Sequence, residues 1–342
     1  MVTNMTILVT GGCGYIGSHT VFTLLSQNYD VVVLDDLSNA SEVPLQRIAK
    51  MTTKRIRFYK GRAGDEDLLN TIFSENEITS VIHFAGLKSV SESIEKPLEY
   101  YMSNLTDTVK LLNVMIQHKI YRLIFSSSAT VYGRISSCPI NELNPTGNTT
   151  NPYGTTKFFA EEILKDVANA NQELKIIILR YFNPIGAHPS GLLGEHPNGI
   201  PNNLFPYLTK VALGTLPYLA VFGNDYPTPD GSGVRDYIHV MDLAEAHVKA
   251  LNHVFDTENV NVYNLGTGIG YSVLEIISAF EKVTGISIPY KIIARRPGDI
   301  ASCWSDCTKA NEKLKWRATR DISVMIQDAW NWQIKNPNGY IE

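Results

Sequence analysis

Short apolar runs alternate with segments of helical periodicity through the first half of this 342-residue chain. The apolar runs cover residues 7–10, 31–35, 56–59, 81–85, 123–127 and 176–182. Between them, apolar residues recur at spacings of three and four, as at Val21, Leu24 and Leu25, which is typical of amphipathic helices. Because repeated strand, helix and strand order places helices on both faces of a parallel sheet, the pattern predicts an α/β fold with a doubly wound parallel sheet.

The composition of the sequence changes after Phe182, where proline and glycine become frequent up to Pro201. Such composition is typical of irregular loops, and a chain of this length has room for about two domains of ~150 residues. We therefore predict a nucleotide-binding domain over residues 1–182 and a smaller C-terminal α/β substrate domain over residues 183–342. Residues 236–266 again show strand, helix and strand patterns, so the chain is expected to return there to the first domain.

The balance of charges argues against nucleic acid or a membrane as a partner. The chain has 30 basic and 34 acidic residues, a net charge of −4, and no cluster of Lys and Arg. An anionic partner would require a basic surface. The first ten residues lack a basic leader, and no segment approaches the ~20 apolar residues of a membrane span. We therefore expect a cytoplasmic protein.

The cysteines and histidines lack the spacing of a metal site. Cys13, Cys138, Cys303 and Cys307 contain no CxxC pair, and the eight histidines form no HExxH motif. We expect isolated thiols in a reducing compartment and no metal ion.

A glycine-rich run, TGGCGYIG, follows the first predicted strand directly and opens the first predicted helix. Gly11, Gly14 and Gly17 allow a tight turn, a close approach to a pyrophosphate, and close packing of helix on strand. Asp35 ends the second predicted strand, 18 residues after Gly17, where a carboxylate can bond the hydroxyls of a ribose and repel a 2′-phosphate. The pattern favours a Rossmann-type site for NAD rather than NADP. An empty strand-to-helix turn is the alternative.

Tyr153 and Lys157 form a YxxxK pair, a spacing that chance alone produces about once in a chain of this composition. Asn151 and Pro152 are typical of a helix N-cap and first helical residue, so Tyr153 and Lys157 would share one helix face. To act as a base at neutral pH, a tyrosine must lose about 3 pKa units from its ordinary value. A nearby ammonium, a nicotinamide cation and a helix N-terminus all favour that loss.

Ser128 lies at the carboxyl end of the fifth predicted strand, where ligands of open α/β sheets bind. Its hydroxyl is expected to donate or relay a hydrogen bond to the substrate oxygen on which Tyr153 acts. Ser128, Tyr153 and Lys157 are therefore the predicted catalytic residues. The alternative is a core tyrosine, a surface lysine and one member of a serine cluster.

Longer runs of the sequence carry a more specific signal. They are TGGCGYIGSHT, HFAGLKSV, FSSSATVYG, RYFNPIGAHPSG, GIPNNL and FGNDYPTPDGSGVRDYIHVMDLA, followed by the region of Arg296 and Asp299. Together with the YxxxK pair and in this order, these runs resemble the UDP-glucose 4-epimerase family of extended short-chain dehydrogenase/reductases. The resemblance extends almost from end to end. It implies NAD as cofactor, UDP-hexoses as substrates and a homodimer.

The resemblance also implies roles for the residues that match the family's motifs. Those of the cofactor site are Gly11, Gly14, Tyr15, Ile16, Gly17, Asp35, Phe84, Ala85, Lys88, Asn104, Ser128, Tyr153 and Lys157. Those of the UDP-sugar site are Lys88, Ser128, Tyr153, Phe182, Asn183, Asn202, Asn203, Leu204, Ala220, Phe222, Arg235, Arg296, Asp299 and Cys303. From the residues alone, two arginines suit a diphosphate because a guanidinium binds phosphate oxygens in pairs. For Arg235, an ion pair with Asp236 or Asp242 is the alternative.

Two positions depart from the family pattern. Where the family usually places Asp against the adenine amino group, this chain has Arg62. We expect Arg62 to stack on the adenine or Asp65 to replace the missing carboxylate. An arginine also binds a 2′-phosphate, which weakens the preference for NAD that Asp35 indicates. Ser103 stands before Asn104 where the family often has an asparagine, and its hydroxyl has a shorter reach to the cofactor.

A nucleotide-binding chain of this kind has three candidate functions. In an epimerase, Tyr153 removes the proton of the 4-hydroxyl, hydride passes from carbon 4 to NAD, the 4-keto sugar turns, and hydride returns to its other face. In a nucleotide-sugar 4,6-dehydratase, an Asp-Glu pair usually stands where this chain has Ala129 and Thr130, so an acid and a base are missing. A non-catalytic NAD-sensing module would need neither Tyr153 nor Lys157. We predict the epimerase of UDP-glucose and UDP-galactose.

Cys303, in the run GDIASCW, bears on the choice of sugar. The resemblance implies that a tyrosine here restricts the family to plain hexoses, whereas a small residue leaves room for a 2-acetamido group. A thiol is several heavy atoms smaller than a phenol, and overpacking a bulky ligand costs ~1–3 kcal/mol. We therefore expect UDP-N-acetylhexosamines as further substrates. The alternative, a small buried apolar cysteine, leaves the same space open.

Overall fold

The computed structural model describes residues 5–135, 137–197, 201, 203–256, 258–296 and 298–341. Its strands are β1 (Thr6–Thr10), β2 (Asp30–Asp35), β3 (Arg57–Lys60), β4 (Ile78–His83), β5 (Arg122–Ser128), β6 (Lys175–Tyr181), β7 (Asn183–Ile185), β8 (Leu219–Phe222), β9 (Val234–His239), β10 (Val260–Leu265), β11 (Gly270–Ser272), β12 (Tyr290–Ile293) and β13 (Ser302–Cys303). Its α-helices are α1 (Tyr15–Ser26), α2 (Val43–Thr52), α3 (Glu66–Glu75), α4 (Val90–Glu95), α5 (Pro97–Tyr101), α6 (Asp107–Gln117), α7 (Pro152–Ala170), α8 (Leu204–Ala212), α9 (Val240–His253), α10 (Val273–Thr284) and α11 (Ile322–Lys335). Short π-helical segments lie at Met102–Thr106 and Ala310–Leu314, and a 3-10 turn at Ala129–Tyr132.

The chain divides into two compact units. The first comprises Met1–Gly133, Pro145–Arg180 and Ala244–Tyr263, and the second comprises Arg134–Asn144, Tyr181–Leu243 and Asn264–Glu342. The boundary after Arg180 lies two residues before the predicted one, and the return to the first unit, Ala244–Tyr263, covers a shorter stretch than the predicted residues 236–266. Residues 134–144 belong to the second unit, which the sequence did not predict.

Within the described residues, seven strands of the first unit form one sheet in the order β3-β2-β1-β4-β5-β6-β10. The pairs β1–β2, β2–β3, β1–β4 and β4–β5 are parallel. The predicted doubly wound parallel sheet is therefore confirmed, and the strand order reverses between β1 and β4, where such folds bind nucleotides. The predicted run 81–85 is shorter as a strand: β4 ends at His83, and Ala85 then passes close over the turn after β1.

Burial explains why the strands read as continuous apolar runs. Ile7, Leu8 and Val9 of β1 are adjacent, point to alternate faces, and are each 0% exposed. Both faces of the sheet must therefore be covered. A core cluster joins the strands to the flanking helices, as Leu8 and Ile178 of the sheet pack with Leu69 of α3 and Leu164 of α7. Each such side chain contributes about 1.5–3 kcal/mol when it leaves water.

The second unit is built around β9. β7 and β13 pair with β9 in parallel, β11 pairs with it antiparallel, and β8 and β12 form a separate parallel pair. Helices α8, α10 and α11 supply Phe205, Phe280 and Met325 to one core cluster. This arrangement is the smaller α/β unit that the sequence predicted. None of the described helices combines the length and the apolar character that crossing a membrane requires.

Candidate active site

In and beside the turn between β1 and α1, two backbone contacts are so close that only glycine fits there. Gly11 has a φ of +70°, and a Cβ there would lie 2.7 Å from the Ala85 amide nitrogen. A Cβ at Gly17 would lie 2.2 Å from the Gly11 carbonyl oxygen. Gly14, the N-cap of α1, has no side chain with which to cap the helix. The turn therefore presents backbone N–H groups and the positive end of a helix, which suits a phosphate group.

Asp35, at the end of β2, is tied to this turn. Its Oδ2 accepts a hydrogen bond of 2.9 Å from the Cys13 amide, and its Oδ1 accepts one of 2.9 Å from the Leu37 amide. Burial raises the pKa of Asp35, and the two amide hydrogen bonds oppose that rise. A carboxylate has about four lone-pair sites, so both oxygens retain capacity for the hydroxyls of a ribose. These features fit the adenosine part of NAD, and the carboxylate disfavours a 2′-phosphate.

The predicted cofactor residues after β4 have different surroundings. The Phe84 ring lies 4.6 Å from the His247 ring, and Lys88 is exposed. Asn104 is buried, and its Oδ1 accepts from the Leu87 amide at 2.8 Å while its Nδ2 donates to the Thr156 hydroxyl at 3.0 Å. Asn104 thus links the loop after β4 to α7, a structural role that the sequence did not predict. Its neighbour Ser103 lies in the π-helical segment Met102–Thr106.

Helix α7 begins as the sequence predicts and positions two of the three predicted catalytic residues. The Asn151 side chain accepts a hydrogen bond of 2.9 Å from the Gly154 amide, and Pro152 is the first helical residue. One turn apart on the same face, Tyr153 is 9% exposed and Lys157 is 6% exposed. Because Lys157 is buried, the alternative of a surface lysine does not apply.

Ser128 and Lys157 both bond to groups on β5 or beside it. Lys157 Nζ donates to the Ser126 carbonyl oxygen at 2.8 Å and lies 4.9 Å from the centre of the Phe125 ring. The Ser128 hydroxyl forms a hydrogen bond with Tyr153 and accepts one of 3.2 Å from the Thr130 amide. The structure therefore brings Ser128, Tyr153 and Lys157 together at the carboxyl end of β5.

Burial controls the protonation of this site. It raises the pKa of Tyr153, and the hydrogen bond with Ser128 opposes the rise. It lowers the pKa of Lys157 to about 8, and the Glu161 carboxylate opposes that change. The sequence analysis expected a nearby ammonium and a helix N-terminus to lower this pKa. In the protein alone the lowering contribution is instead the hydrogen bond with Ser128, and the desolvation of the phenol outweighs it.

Two buried groups beneath the site escaped the sequence analysis. Glu161, 0% exposed, accepts from Arg180 Nε at 2.9 Å and from the Ser127 hydroxyl at 2.5 Å. His83 lies between the hydroxyls of Thr10 and Thr108, at 2.6 Å and 3.0 Å. Burial, followed by the charge of Lys157, lowers the pKa of His83 to about 3. The i, i+4, i+8 spacing of Tyr153, Lys157 and Glu161 was the available signal for the carboxylate.

The two candidates for the adenine contact already have partners in the protein. Arg62 forms an exposed ion pair with Asp107, with Nη2 to Oδ2 at 3.1 Å. Asp65 caps α3 by accepting a hydrogen bond of 3.1 Å from the Leu68 amide. The Arg62 side chain is 57% exposed, whereas that of Asp107 is 15% exposed, so the guanidinium is accessible to a second partner while it bonds Asp107.

The predicted substrate residues of the second unit fall into small groups. Arg235 on β9 is the register partner of Cys303 on β13, and the two lie on adjacent strands. Arg296 pairs with Asp299, Nη2 to Oδ1 at 3.0 Å, and its guanidinium lies 5.2 Å from the centre of the Phe222 ring. Arg235 is half-buried, and Arg296 is exposed.

The alternative ion pairs for Arg235 are not formed. The Asp236 carboxylate accepts hydrogen bonds from the amides of Thr267 and Ser305, at 2.8 Å and 3.1 Å, and Asp242 pairs with Arg320. Arg235 Nη1 instead donates to its neighbour's carbonyl at 2.8 Å. Its charge is therefore not neutralised by either carboxylate.

The remaining predicted substrate residues lie at element ends or on β8. Phe182 is buried before β7, Asn183 begins β7, Asn203 is the N-cap of α8, Leu204 is its first residue, and Ala220 lies on β8. Asn202 lies outside the described residues. Among the described residues, three or more His, Cys, Asp or Glu side chains are nowhere gathered as a metal site would require.

Known proteins resemble this chain in sequence and in fold over nearly its whole length. A family model described as GDP-mannose 4,6 dehydratase matches residues 8–329. The UDP-glucose 4-epimerase of Pasteurella multocida is 58% identical over 336 residues, which cover 98% of this chain and 99% of that protein. Among solved structures, the UDP-glucose 4-epimerase of Bifidobacterium longum in complex with NAD+ and UDP is 56% identical, with a TM-score of 0.95 over 98% of this chain and 100% of that chain. The UDP-Glc/GlcNAc 4-epimerase of Campylobacter jejuni is 35% identical, with a TM-score of 0.84 over 97% of this chain and 99% of that chain.

Proposed function

The chain belongs to the UDP-glucose 4-epimerases, within the extended short-chain dehydrogenase/reductases, and from this premise we propose how its residues carry out the reaction. The enzyme interconverts UDP-glucose and UDP-galactose with NAD and is therefore an isomerase. The observation that carries the assignment of roles is the arrangement of Ser128, Tyr153 and Lys157. A buried phenol bonded to a serine hydroxyl lies one helical turn from a buried amine.

Tyr153 is the proposed acid and base for the 4-hydroxyl of the sugar. Its phenol is protonated at neutral pH in the protein alone, because burial raises its pKa. Ser128 stabilises the phenolate by donating a hydrogen bond, and Lys157 holds a positive charge at the carboxyl end of β5. Bound NAD supplies a reversible hydride acceptor for carbon 4 and a cationic ring. The proton and the hydride both return, so no net oxidation occurs.

The proposed NAD site consists of the glycine turn, with Gly11, Gly14 and Gly17, and the Asp35 carboxylate. The absence of side chains at Gly11 and Gly14 leaves room for a pyrophosphate against the start of α1. Tyr15, Ile16, Phe84, Ala85, Lys88 and Asn104 complete the proposed site.

A 4,6-dehydratase is less well supported, although the matching family model carries that description. Elimination of water needs an acid and a base in addition to the tyrosine. At the position of the usual Asp-Glu pair, this chain has the methyl group of Ala129 and the hydroxyl of Thr130, which lie in the 3-10 turn after β5. Neither side chain transfers a proton readily at neutral pH.

The UDP-sugar is proposed to bind through the second unit. Arg235 and Arg296 would bind the diphosphate, and Asp299, which bonds Arg296, would orient that guanidinium or accept from the nucleoside. Asn183, Asn203, Leu204, Ala220, Phe222 and Phe182 are the further proposed contacts, with Asn202 beside them in the sequence.

We also propose UDP-N-acetylglucosamine and UDP-N-acetylgalactosamine as substrates. Cys303 is 8% exposed and is the β13 register partner of Arg235, so a small side chain lies beside a proposed phosphate-binding residue. The Campylobacter jejuni relative is described as acting on both Glc and GlcNAc forms. This similarity supports the proposal without naming the residue responsible.

A homodimer in the cytoplasm is the proposed state of the enzyme. Large apolar side chains are exposed on neighbouring helical elements of the first unit, at Leu98 (78%), Met102 (60%), Val109 (44%) and Phe159 (44%). Such a patch is typical of a protein interface. The four cysteines are free thiols, as a reducing compartment would maintain them.

Incubation of the purified protein with UDP-galactose, followed by analysis of the product sugar, tests the function. We expect UDP-glucose to appear, with deuterium placed at carbon 4 retained in the product. Conversion to a 4-keto-6-deoxy sugar would indicate the dehydratase. Loss of the deuterium to solvent would contradict direct hydride return.

A further inference from the structure

Three consecutive residues of β5 each bond to one residue of a stripe along α7. The Ser126 carbonyl accepts from Lys157 Nζ at 2.8 Å, and the Ser128 hydroxyl bonds Tyr153. Between these, the Ser127 hydroxyl donates to Glu161 Oε1 at 2.5 Å. The stripe of Tyr153 and Lys157 therefore continues for one more helical turn, with the same strand supporting all three side chains.

Glu161 and Arg180 form a buried ion pair below this stripe. Their side chains are 0% and 3% exposed, and Arg180 Nε and Nη2 donate to the Glu161 carboxylate at 2.9 Å and 2.5 Å. Arg180 Nη1 also donates to the Tyr132 hydroxyl at 3.0 Å. Apolar side chains of similar volume are often as stabilising as a buried ion pair. Fold stability alone is thus a weak reason for charges at this place.

The charged and titratable groups around Lys157 come from several elements. On α7 they are Tyr153 and Glu161. From β4, His83 faces Lys157 and is neutral near physiological pH, since burial and then the charge of Lys157 lower its pKa to about 3. From β6, Arg180 is bound to Glu161. Among these described groups, Glu161 alone carries a negative charge at neutral pH.

The position of this negative charge matters because Lys157 is desolvated. Burial lowers the pKa of Lys157 to about 8, and Glu161 acts in the opposite direction. An amine with a lowered pKa loses its charge as the pH rises through that value. Without Glu161, the loss would begin at lower pH, and the positive charge of Arg180 would add to the effect.

We propose that Glu161, fixed by Arg180 and Ser127, is a positioning residue that keeps the Lys157 amine charged and seated against the Ser126 carbonyl. The inference deepens the proposed function, since it assigns to the epimerase site a support that the substrate does not touch. The ion pair with Arg180 holds the carboxylate at one turn's distance from the amine, so that Glu161 acts through space and does not bond Lys157 in place of Ser126.

The test compares Glu161→Gln with Glu162→Gln in the full-length enzyme loaded with NAD. Glu162 is the next residue of α7, and its side chain, 47% exposed, forms an ion pair with Lys165 at 2.6 Å. The control therefore removes the same charge from the same helix on its other side. The pKa of Lys157 is measured by NMR titration of protein labelled at lysine Cε, with the signal assigned by Lys157→Arg. Activity toward UDP-galactose is measured against pH.

For Glu161→Gln, we expect the Lys157 pKa to fall by about one unit or more, which is tenfold or more in its protonation ratio. The upper limb of the kcat profile should move to lower pH by the same amount, with KM for UDP-galactose little changed. Glu162→Gln should leave both at the wild-type value. An unchanged Lys157 titration in folded Glu161→Gln, or an equal shift in the control, would overturn the proposal.

A second variant covers the case in which Glu161→Gln does not fold because Arg180 is left unpaired. In Glu161→Gln/Arg180→Gln both charges are absent, and the Lys157 pKa should fall, but by less than in the single variant. A wild-type Lys157 titration in the double variant, together with a wild-type pH profile, would show that the pair has a structural role only. If the wild type does not convert UDP-galactose, the proposed function fails, and the NMR titration still decides whether Glu161 controls the charge of Lys157.

Discussion

Replacing Gly17 by alanine probes the contact that closes the nucleotide-binding turn. A Cβ at this position would lie 2.2 Å from the Gly11 carbonyl oxygen and 2.9 Å from Gly12 Cα. Both are backbone atoms, so α1 has to move away from the turn to relieve the clash. Movement of α1 also displaces the N–H groups that are proposed to bind the pyrophosphate.

The expected cost follows from the size of this overlap. Overpacking costs about 1–3 kcal/mol or more, and the higher helix propensity of alanine returns up to about 1 kcal/mol. A net loss of about 1–2 kcal/mol lowers the Tm by roughly 1.5–3 °C, because an unfolding entropy of ~2.1 cal/mol/K per residue amounts to about 0.7 kcal/mol/K for 342 residues. We therefore expect Gly17→Ala to be less stable and to be purified without NAD.

Gly14→Ala is the matched control on the same turn. A Cβ at Gly14 would meet only the Gly11 carbonyl oxygen, at 3.4 Å, which is ordinary contact, and its φ of −70° suits alanine. Loss of the glycine N-cap costs about 0.5–1 kcal/mol. The added methyl group has no clash inside the protein, so a loss of NAD from this variant would come from contact with the cofactor itself.

The assay separates stability from cofactor binding. Because bound NAD stabilises the folded state by mass action, the Tm is compared on protein stripped of cofactor, and NAD content is measured by acid extraction of unstripped protein. A wild-type Tm for stripped Gly17→Ala would refute the contact argument. Full NAD content in Gly14→Ala would refute the placement of the pyrophosphate at this turn.

Further outcomes are expected at other positions. Wild-type protein should release NAD on acid extraction, and recovery of NADP would contradict the role of Asp35 at the end of β2. Tyr153→Phe should lower kcat by ~10²–10⁴-fold with the fold intact, and Ser128→Ala should lower it less; retained turnover in the tyrosine variant would disprove the assigned base. Cys303→Tyr should suppress turnover of UDP-N-acetylglucosamine while sparing UDP-glucose, and an equal loss of both would contradict the steric argument. Arg62→Asp should leave the reaction type unchanged and alter NAD retention if the arginine contacts adenine, whereas unchanged retention would remove Arg62 from the site; it also replaces the ion pair with Asp107 by two carboxylates of like charge.

Local chemistry explains which parts of the site could be predicted from the sequence. The glycine turn, Asp35 at the end of β2, and the N-cap at Asn151 depend on residues within a few positions of one another or on a repeated fold rule. The spacing of Tyr153 and Lys157 fixes their common helix face for the same reason. For these features, the backbone conformation of a short segment determines the geometry.

Long-range packing decided the rest. Glu161 finds Arg180 and Ser127 only because β5, β6 and α7 meet, across separations of 19 and 34 residues. The sequence neighbours of Arg235 suggested ion pairs, yet its carboxylate neighbour bonds backbone amides from distant loops instead. Burial likewise set the direction of the pKa changes at Tyr153 and Lys157, because desolvation depends on everything packed around a group. The sequence by itself therefore determined the type of fold and the chemical groups of the site, and the tertiary structure determined their charge states and partners.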